Sequence, residues 1–379
     1  MRIGFNFHSS DNYISGVEHY SLGLLRSLLE TDKANEYIVF TNRPNLVASH
    51  IGSLDNLIVR DCSFLKSRLH RILWEHVRLP MLIKKEKLDI LHCPHYICPA
   101  VKTSAAYVLT IHDTIAIDHP GWCKKTNAAY YRLLLGRSAR AASKISAVSN
   151  FTAERITKNF GVDRTKIEVV YPGIDTGTFN LHIDSQKENQ VRARYNLPEH
   201  YLLYSGNIEP KKNLLNLLKA FKLLRKNGCR HSLVIAGRRS WKSEQFFDFL
   251  HKEFKSGEVL LIGYIERSDI GAVYKMADCL VFPSFCEGFG FPTVEAFACG
   301  IPVAASKTGI LQEVNSQAFT LLESDKPAQM AQSINRLLTD HKLRELQIKT
   351  GLIEAGKFNW HDCAARTLAL YREVLKANG

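Results

Sequence analysis

Short apolar, β-branched segments alternate with longer amphipathic segments along the whole 379-residue chain. The short segments, such as Cys279–Ser284, are almost continuously apolar, which is typical of strands covered on both faces in a parallel sheet. Strands that alternate with helices build α/β layers rather than all-helical or all-strand domains. At ~150 residues per domain, the length indicates two such units. The sequence therefore predicts an α/β protein with two Rossmann-like, doubly wound parallel-sheet domains.

The individual elements follow from the same pattern. The predicted strands are Arg2–His8, Tyr37–Thr41, Asp89–Cys93, Ala106–His112, Lys144–Val148, Glu168–Tyr171, Tyr201–Gly206, Ser232–Gly237, Val259–Gly263, Cys279–Ser284 and Pro302–Ser306. The predicted helices include Val17–Leu29, Thr126–Ala142, Leu214–Lys226, Glu244–Lys255, Ser268–Met276 and Pro292–Cys299. Pro and Gly residues interrupt the segment Tyr171–Phe179, which predicts a hinge followed by a polar stretch, Asp184–Arg194.

Composition limits the compartment and the partners. Nine cysteines without regular spacing indicate free thiols in a reducing compartment rather than a disulfide framework. We expect a cytoplasmic protein, because no apolar run approaches the ~18 residues of a membrane span and no apolar signal core follows the N-terminus. The net charge of +13 favours an anionic partner, without choosing among nucleic acid, anionic lipid and phosphorylated small molecules.

The most informative loop lies in Pro283–Val303, where a predicted strand ends and a helix begins near Pro292. Gly288 and Gly290 allow backbone amides to approach a ligand, and amides at a helix N-terminus bind anions. Glu287 stands before the loop without an obvious structural partner, and Glu295 is expected in the first helical turn. Because carboxylates accept hydrogen bonds from sugar hydroxyls, the pattern fits a ligand with phosphate between two sugars, as in a nucleotide sugar.

Glu287 and Glu295, in EGFGFPTVE, resemble the Glu-x7-Glu signature of family 4 glycosyltransferases, which are retaining enzymes with the GT-B fold. SGNIEPKKN, IHDTIAIDHP, SAVSNFT and YPGID fall in the family's order, so the resemblance covers nearly the whole chain. It implies an N-terminal acceptor-binding domain (1–175) and a C-terminal nucleotide-sugar-binding domain (176–360) that face each other across a cleft. It also implies a last helix (361–379) that packs back on the first domain. Within the family, the chain looks most like bacterial mannosyltransferases of O-antigen and capsule assembly.

The resemblance also implies the site residues. Glu287, His112 and Lys212 are the expected catalytic residues, with His112 a sugar contact rather than a general base. Lys211 and Lys212 are expected to neutralise the donor diphosphate, because Asn207 stands where the family has a basic residue. The expected donor-binding residues are Gly16, Asp113, Gly206, Asn207, Lys211, Lys212, Gly263, Tyr264, Ile265, Glu287, Gly288, Phe289, Gly290, Phe291 and Glu295.

Each of these residues also has a purely structural explanation. Glu295 could serve as a favourable charge at a helix N-terminus, and the two lysines could be solvated loop residues. His112 could be a structural histidine at a strand end, and Gly16 a simple helix start.

No metal is expected. The chain contains no Asp-x-Asp motif, and the histidines and cysteines of LHCPHYIC (91–98) do not have the spacing of a zinc signature.

The implied reaction moves a hexose to a glycan or polyprenyl-diphosphate-linked acceptor, with GDP-mannose favoured over UDP-sugars. A glucosyl, galactosyl or GlcNAc transferase, or a glucan synthase or sucrose-type enzyme, shares the motif and differs in its substrates. A nucleotide-sugar epimerase shares the fold but lacks Glu-x7-Glu. A basic nucleic-acid-binding protein would explain the charge, yet no nucleic-acid-binding motif is present, so we expect no nucleic acid partner.

Two basic segments predict peripheral association with an anionic membrane, on the inner face of the cytoplasmic membrane. His119–Ala153 carries six Lys/Arg and no acidic residue, interleaved with Trp122, Tyr130, Tyr131 and Leu133–Leu135. Phe64–Pro80 places Lys66, Arg68, Arg71 and Arg78 around Leu65, Leu69, Ile72 and Leu73 at helical spacing. The alternative is that both apolar series face the core of the first domain.

Overall fold

The computed structural model describes residues 1–8, 14–65 and 68–376, without the side chains of Arg68 and Leu69. It divides into two compact units. The first comprises Met1–Gly173 together with Asn359–Gly379, and the second comprises Ile174–Phe358. In the part of the chain that the structure describes, no helix has the length and apolar character needed to cross a bilayer.

The first unit contains a seven-stranded parallel sheet in the order β3-β2-β1-β4-β5-β6-β7. Its strands are β1 (Arg2–Phe7), β2 (Glu36–Thr41), β3 (Leu57–Asp61), β4 (Ile90–Cys93), β5 (Ala106–Ile111), β6 (Lys144–Ala147) and β7 (Ile167–Val169). Its helices are α1 (Gly16–Thr31), α2 (Pro44–Ile51), α3 (Arg68–Leu73), α4 (Leu79–Lys85), α5 (Ile115–Asp118), α6 (Lys125–Ala141), α7 (Asn150–Phe160) and α15 (Trp360–Lys376). The turn Trp74–Arg78 between α3 and α4 is π-helical.

The second unit contains a six-stranded parallel sheet in the order β10-β9-β8-β11-β12-β13. Its strands are β8 (Tyr201–Ser205), β9 (Ser232–Ala236), β10 (Val259–Gly263), β11 (Cys279–Phe282), β12 (Val303–Ala305) and β13 (Thr320–Leu321). Its helices are α8 (Ser185–Tyr195), α9 (Leu214–Lys226), α10 (Glu244–Glu253), α11 (Arg267–Lys275), α12 (Phe291–Ala298), α13 (Pro327–Thr339) and α14 (His341–Ala355). The order reverses beside β8 and β11, where the loops that follow parallel strands commonly form a ligand site.

The final helix, α15, packs inside the first unit. A Cβ atom on Gly23 of α1 would lie 2.4 Å from the Trp360 ring, so the two helices approach closely only because residue 23 is glycine. Farther along α15, the buried Tyr371 hydroxyl lies 2.6 Å from His92 Nδ1 at β4. Helix α15 is therefore part of the core of the first unit.

The structure adds one element to which the sequence analysis assigned no structure, and it corrects one expectation. The polar stretch after the hinge is the regular helix α8, capped by the Asp184 carboxylate, which accepts a hydrogen bond from Gln186 N. The apolar series chosen for the membrane is mainly core, because periodicity alone does not say which face of a helix is covered. The residues of that series that pack in the core are Leu65, Ile72, Tyr130, Leu134 and Leu135.

Candidate donor and sugar site

Two loops at the carboxyl edge of the second sheet are joined by main-chain and side-chain contacts. The loop after β8 contains Lys211 and Lys212, and the loop after β11 contains Glu287. The backbone amide of Phe285 donates to the Lys211 carbonyl at 2.9 Å. The Lys212 ammonium lies 2.6 Å from Glu287 Oε1, and both side chains are largely buried. The structure thus brings together three of the residues that the sequence singled out.

Glycines and one asparagine fix the course of the first loop. A Cβ atom on Gly237, at the end of β9, would lie 1.9 Å from the Gly206 carbonyl oxygen at the end of β8. Asn213 adopts a left-handed conformation (φ 61°), and its buried side-chain amide donates to the carbonyls of Pro283 and Ser324 at 3.1 and 2.6 Å. Neither Gly237 nor Asn213 was singled out from the sequence, although a glycine directly after a strand and an asparagine before a helix are recognisable signals.

Glu287 is ionised in this arrangement. Burial raises its pKa, but the charges of Lys212 and Lys211 and the hydrogen bond from Lys212 outweigh that effect, so the pKa lies below the usual value. The expectation that Glu287 lacks a structural partner is wrong: Lys212 is that partner. The pair consists of a carboxylate and an ammonium that are both charged and close to the glycine loop.

The glycine loop after Glu287 is held by its neighbours. The Glu287 amide donates to Thr308 Oγ1 at 3.0 Å, and the Ile310 amide donates to the Phe289 carbonyl at 2.9 Å. Gly290 has φ 96° and directly precedes α12. The Phe289 side chain is buried against Phe291 and Phe358, so this residue is placed to meet a ligand through its backbone rather than through its ring.

Glu295 lies in the second turn of α12, not in the first turn as the sequence suggested, because the helix begins at Phe291. Its Oε2 accepts a hydrogen bond from the Tyr274 hydroxyl at 2.9 Å. Burial raises the Glu295 pKa to about 7, against the opposing charge of Arg267 and the hydrogen bond from Tyr274. A group that is half-protonated near neutral pH is not a simple helix-terminal charge.

The segment expected to read the nucleobase follows β10. Gly263 adopts φ 71°, and the pairing of β10 with β9 shifts register between Leu261 and Gly263. The Ile265 side chain is buried, whereas Tyr264 is partly exposed and lies under the Arg238 guanidinium, 5.8 Å from the ring centroid. Arg238, in the loop after β9, was not singled out from the sequence.

His112 follows β5 in the first unit. Its Nε2 lies 2.8 Å from the Pro94 carbonyl oxygen. Since a carbonyl can only accept, Nε2 carries the proton and Nδ1 carries the lone pair. Burial lowers the His112 pKa to about 4, so the ring is neutral at pH 7.

The neighbouring residues are also tied into the fold. Asp113 accepts hydrogen bonds from the Ile115 amide at 3.0 Å and the Tyr96 hydroxyl at 3.1 Å. Gly16 begins α1, directly after the cap Ser15, which forms a capping box with Glu18. In LHCPHYIC, both ring nitrogens of His92 face hydroxyl groups, those of Tyr371 and Thr110, at 2.6 and 2.8 Å. These contacts give His92 a structural role.

Two family models match successive parts of the chain. Residues 14–178 match Glycosyltransferase Family 4, and residues 185–352 match Glycosyl transferases group 1. The O-antigen chain mannosyltransferase B of Escherichia coli is 27% identical over 98% of this chain and 100% of that protein. The O-antigen chain mannosyltransferase RfbU of Salmonella typhimurium is 24% identical over 82% of this chain and 84% of that protein.

Solved structures agree in fold. Anabaena Alr3699/HepE, crystallised with UDP and glucose, superposes with a TM-score of 0.74 over 97% of this chain and 99% of its own, at 17% identity. WaaG, a glycosyltransferase involved in lipopolysaccharide biosynthesis, gives a TM-score of 0.70 over 96% and 98%, at 14% identity. At such identities the likeness concerns the fold alone. The two family matches show that this chain is a glycosyltransferase with a Glycosyltransferase Family 4 domain followed by a Glycosyl transferases group 1 domain, and the solved structures show that it has the GT-B fold.

Proposed function

We propose that this enzyme transfers mannose from GDP-mannose, with retention of configuration, to a hydroxyl of a glycan or polyprenyl-diphosphate-linked oligosaccharide in surface polysaccharide synthesis. The observation that carries the proposal is the buried Lys212–Glu287 pair, 2.6 Å apart, beside a glycine loop at the carboxyl edge of the second sheet. The similarity to two O-antigen mannosyltransferases supports mannose as the sugar. The D-inositol 3-phosphate glycosyltransferase of Paenarthrobacter aurescens is also 27% identical, over 63% of this chain, and its name does not specify mannose, so the test includes other donor sugars.

Lys211 and Lys212 neutralise the donor diphosphate. The Lys212 ammonium is paired with Glu287, and the Lys211 ammonium lies 3.6 Å from Glu209 Oε1. A bound diphosphate offers both ammonium groups a stronger anion, and the Gly288–Gly290 amides before α12 add donors for phosphate oxygens. These groups stabilise the negative charge that develops as the C1–O bond of the donor breaks.

The two carboxylates hold the sugars at either end of the diphosphate. Glu287 accepts hydrogen bonds from hydroxyls of the transferred sugar once Lys212 turns to phosphate. Glu295 accepts them from the ribose. Gly206 and Asn207 lie against the donor, and the hydrogen bond from the Tyr204 hydroxyl to the Asn207 carbonyl, at 3.1 Å, fixes the course of this loop. Gly263, Tyr264 and Ile265 contact the base.

The first domain supplies the acceptor side and a further sugar contact. The Nδ1 lone pair of the neutral His112 ring accepts a hydrogen bond from a sugar hydroxyl, and Asp113 and Gly16 line the same region. With retention, the acceptor oxygen bonds to C1 on the face that the diphosphate leaves. The proton of the acceptor hydroxyl passes to the departing diphosphate, so no side chain is needed as a general base.

We propose peripheral association with the inner face of the cytoplasmic membrane, through the exposed side chains of Phe64–Pro80 and its neighbours rather than through the buried part of the expected apolar series. Leu73, Val77 and Met81 recur every four residues along α3, the π-helical turn and α4, with 55, 60 and 62% of their surface exposed. Phe64 and Val101 are also exposed, at 56 and 48%. The segment 100–101 lies against the π-helical turn, because the Ala100 amide donates to His76 Nδ1. We call Leu73, Val77, Met81 and Val101 the apolar patch.

Basic side chains accompany the apolar patch. Arg78, Lys84, Lys85 and Lys102 are exposed on the same elements. Exposed apolar residues beside lysine and arginine fit a bilayer interface with anionic headgroups.

The function is tested by incubating the chelator-treated enzyme with GDP-mannose, UDP-glucose, UDP-galactose and UDP-GlcNAc, and a lipid-linked acceptor. We expect transfer from GDP-mannose, undiminished by EDTA, and an axial C1 linkage in the NMR spectrum of the product. Transfer from a UDP-sugar alone would overturn the mannosyl assignment, and an inverted linkage would overturn retention. Activity that vanishes with EDTA and returns with Mg²⁺ or Mn²⁺ would contradict metal independence.

A further inference from the structure

Three side chains with metal-ligating atoms meet at the amino edge of the second sheet. His200 directly precedes β8, His231 directly precedes β9, and Asp278 directly precedes β11. These three strands are neighbours in the sheet. The backbone pairing aligns Tyr201 with Ser232, which places His200 beside His231, and aligns Leu202 with Cys279, which places Asp278 beside Tyr201. The cluster lies at the strand ends opposite to those that lead to Lys212 and Glu287.

The ligand atoms are close enough to share one ion. His200 Nδ1 lies 3.5 Å from Asp278 Oδ2, and His231 Nε2 lies 3.6 Å from the same oxygen. All three ligand atoms fall within 4.8 Å of one another. In a tetrahedral zinc site with bonds of about 2.0–2.1 Å, neighbouring ligand atoms are about 3.3 Å apart. Two of the three separations are thus near the required value. A small rotation of the exposed His200 ring would bring the third, between the ligand nitrogens of His200 and His231, to the same value.

Backbone and side-chain contacts around the cluster hold its members in place. The Tyr201 amide donates to Asp278 Oδ2 at 2.9 Å, and the Asp278 amide donates to the Tyr201 carbonyl at 2.9 Å. The Ser232 amide donates to the His200 carbonyl at 3.1 Å. The Cys229 sulfur lies 3.6 Å from His231 Nδ1, so a proton on Nδ1 directs the Nε2 lone pair towards the shared ion.

We propose that His200, His231 and Asp278 bind one Zn²⁺ ion, with water completing the tetrahedron. Two imidazoles and one carboxylate form a donor set that zinc accepts readily, and the partial exposure of His231 and Asp278 leaves room for the water. The ion would link the residues that directly precede three strands, and it would take no part in sugar transfer. The positive charge of Arg344 acts on His231, which weakens the binding of a cation here.

The test uses the full chain without a polyhistidine tag, stripped with EDTA and titrated calorimetrically with ZnCl₂. We expect saturation at one Zn²⁺ per chain. His231→Ala and Asp278→Asn should each weaken the affinity at least about tenfold. The side-chain amide that Asp278→Asn introduces still has an oxygen that can accept from the Tyr201 amide, so this second variant keeps the fold if the histidine variant does not. His251→Ala, which removes an exposed histidine of α10 in the same domain, is the matched control and should bind Zn²⁺ like the wild type.

Two further measurements make the outcome decisive. Zn²⁺ should raise the Tm of the wild type and of His251→Ala, but not of Asp278→Asn, because binding to the folded state alone stabilises it. Arg344→Gln should tighten Zn²⁺ binding, since it removes a nearby cation. The proposal is overturned if the wild type shows no saturable binding. It is equally overturned if His231→Ala and Asp278→Asn bind as tightly as the wild type, which would place the ion elsewhere.

Discussion

At the scale of single residues, the Lys212–Glu287 pair places a positive and a negative side chain where we propose that the diphosphate and the sugar of the donor bind. Two buried, oppositely charged side chains are costly to desolvate, and they persist here because each compensates the other. Removing one partner leaves the other charge uncompensated. Variants of this pair therefore need a control that keeps the volume and the hydrogen bond.

Glu287→Ala should reduce transfer by at least about 10²-fold, because it removes an acceptor for sugar hydroxyls and leaves Lys212 without its partner. Glu287→Gln keeps the shape and one accepting oxygen, so any loss in this variant reports the negative charge. Turnover with the lipid-linked acceptor and circular dichroism of each variant are the measurements. A folded Glu287→Ala enzyme that transfers at nearly the wild-type rate would refute the assigned role.

The raised pKa of Glu295 predicts that donor binding depends on pH. Its pKa is about 7, so the accepting carboxylate form increases as the pH rises from 6 to 8. We expect the affinity for GDP-mannose to rise by up to about tenfold over this range, because the protonated carboxyl is the poorer acceptor. Calorimetric Kd values at several pH values would show it. In Glu295→Gln the dependence should flatten, and an equally steep profile in that variant would assign it to another group.

At the scale of elements, most strands and about half of the helices that the structure describes could be predicted, because apolar runs bounded by glycine and proline are local signals. Helix α9 has the predicted bounds Leu214–Lys226, and strand β10 the predicted bounds Val259–Gly263. Strand β3 was missed because its apolar run is only three residues long, Leu57–Val59, and is followed by two charged residues at a sheet edge with little burial. Helix α8 was missed because only one of its residues, Val191, is buried.

The candidate site was predictable only in part, for a physical reason. The glycine loop and the carboxylates are local motifs, and they could be read from Pro283–Val303. The partner of Glu287 lies 75 residues away in sequence. The pairing of distant residues depends on the sheet order, which a single sequence does not encode locally. The same holds for His200, His231 and Asp278, whose proximity requires three strands to be aligned.

The contact between α1 and α15 predicts a stability effect. Gly23→Ala places a Cβ atom 2.4 Å from the rigid Trp360 ring, so one helix must shift. We expect a loss of about 1–3 kcal/mol in the free energy of unfolding, although alanine favours a helix. Gly136→Ala in α6 is the matched control, because its Cβ would meet Phe160 at the milder distance of 3.1 Å. Urea denaturation of both variants measures the difference, and equal stabilities would argue against the tight α1–α15 contact.

At the scale of the whole molecule, the net charge of +13 and the apolar patch act at different distances. The charge draws the protein towards any anionic surface and is screened over about 8–10 Å at physiological salt. The exposed apolar side chains act only on contact, and they distinguish a lipid interface from a dissolved polyanion. A membrane role thus predicts that both the charge and the patch are needed for binding.

Liposome co-sedimentation separates these contributions. We expect the enzyme to pellet with anionic vesicles in low salt, less in high salt, and little with neutral vesicles, because each basic residue near an anionic surface contributes about 1 kcal/mol. The double substitution Val77→Ser and Met81→Ser should weaken binding without unfolding the protein, since both side chains are about 60% exposed. Leu346→Ser and Ile353→Ser, which replace exposed apolar residues of α14 in the second domain, form the matched control and should leave pelleting unchanged. If both pairs behave alike, or if neutral vesicles pellet the enzyme equally well, the apolar patch is not the membrane-binding surface.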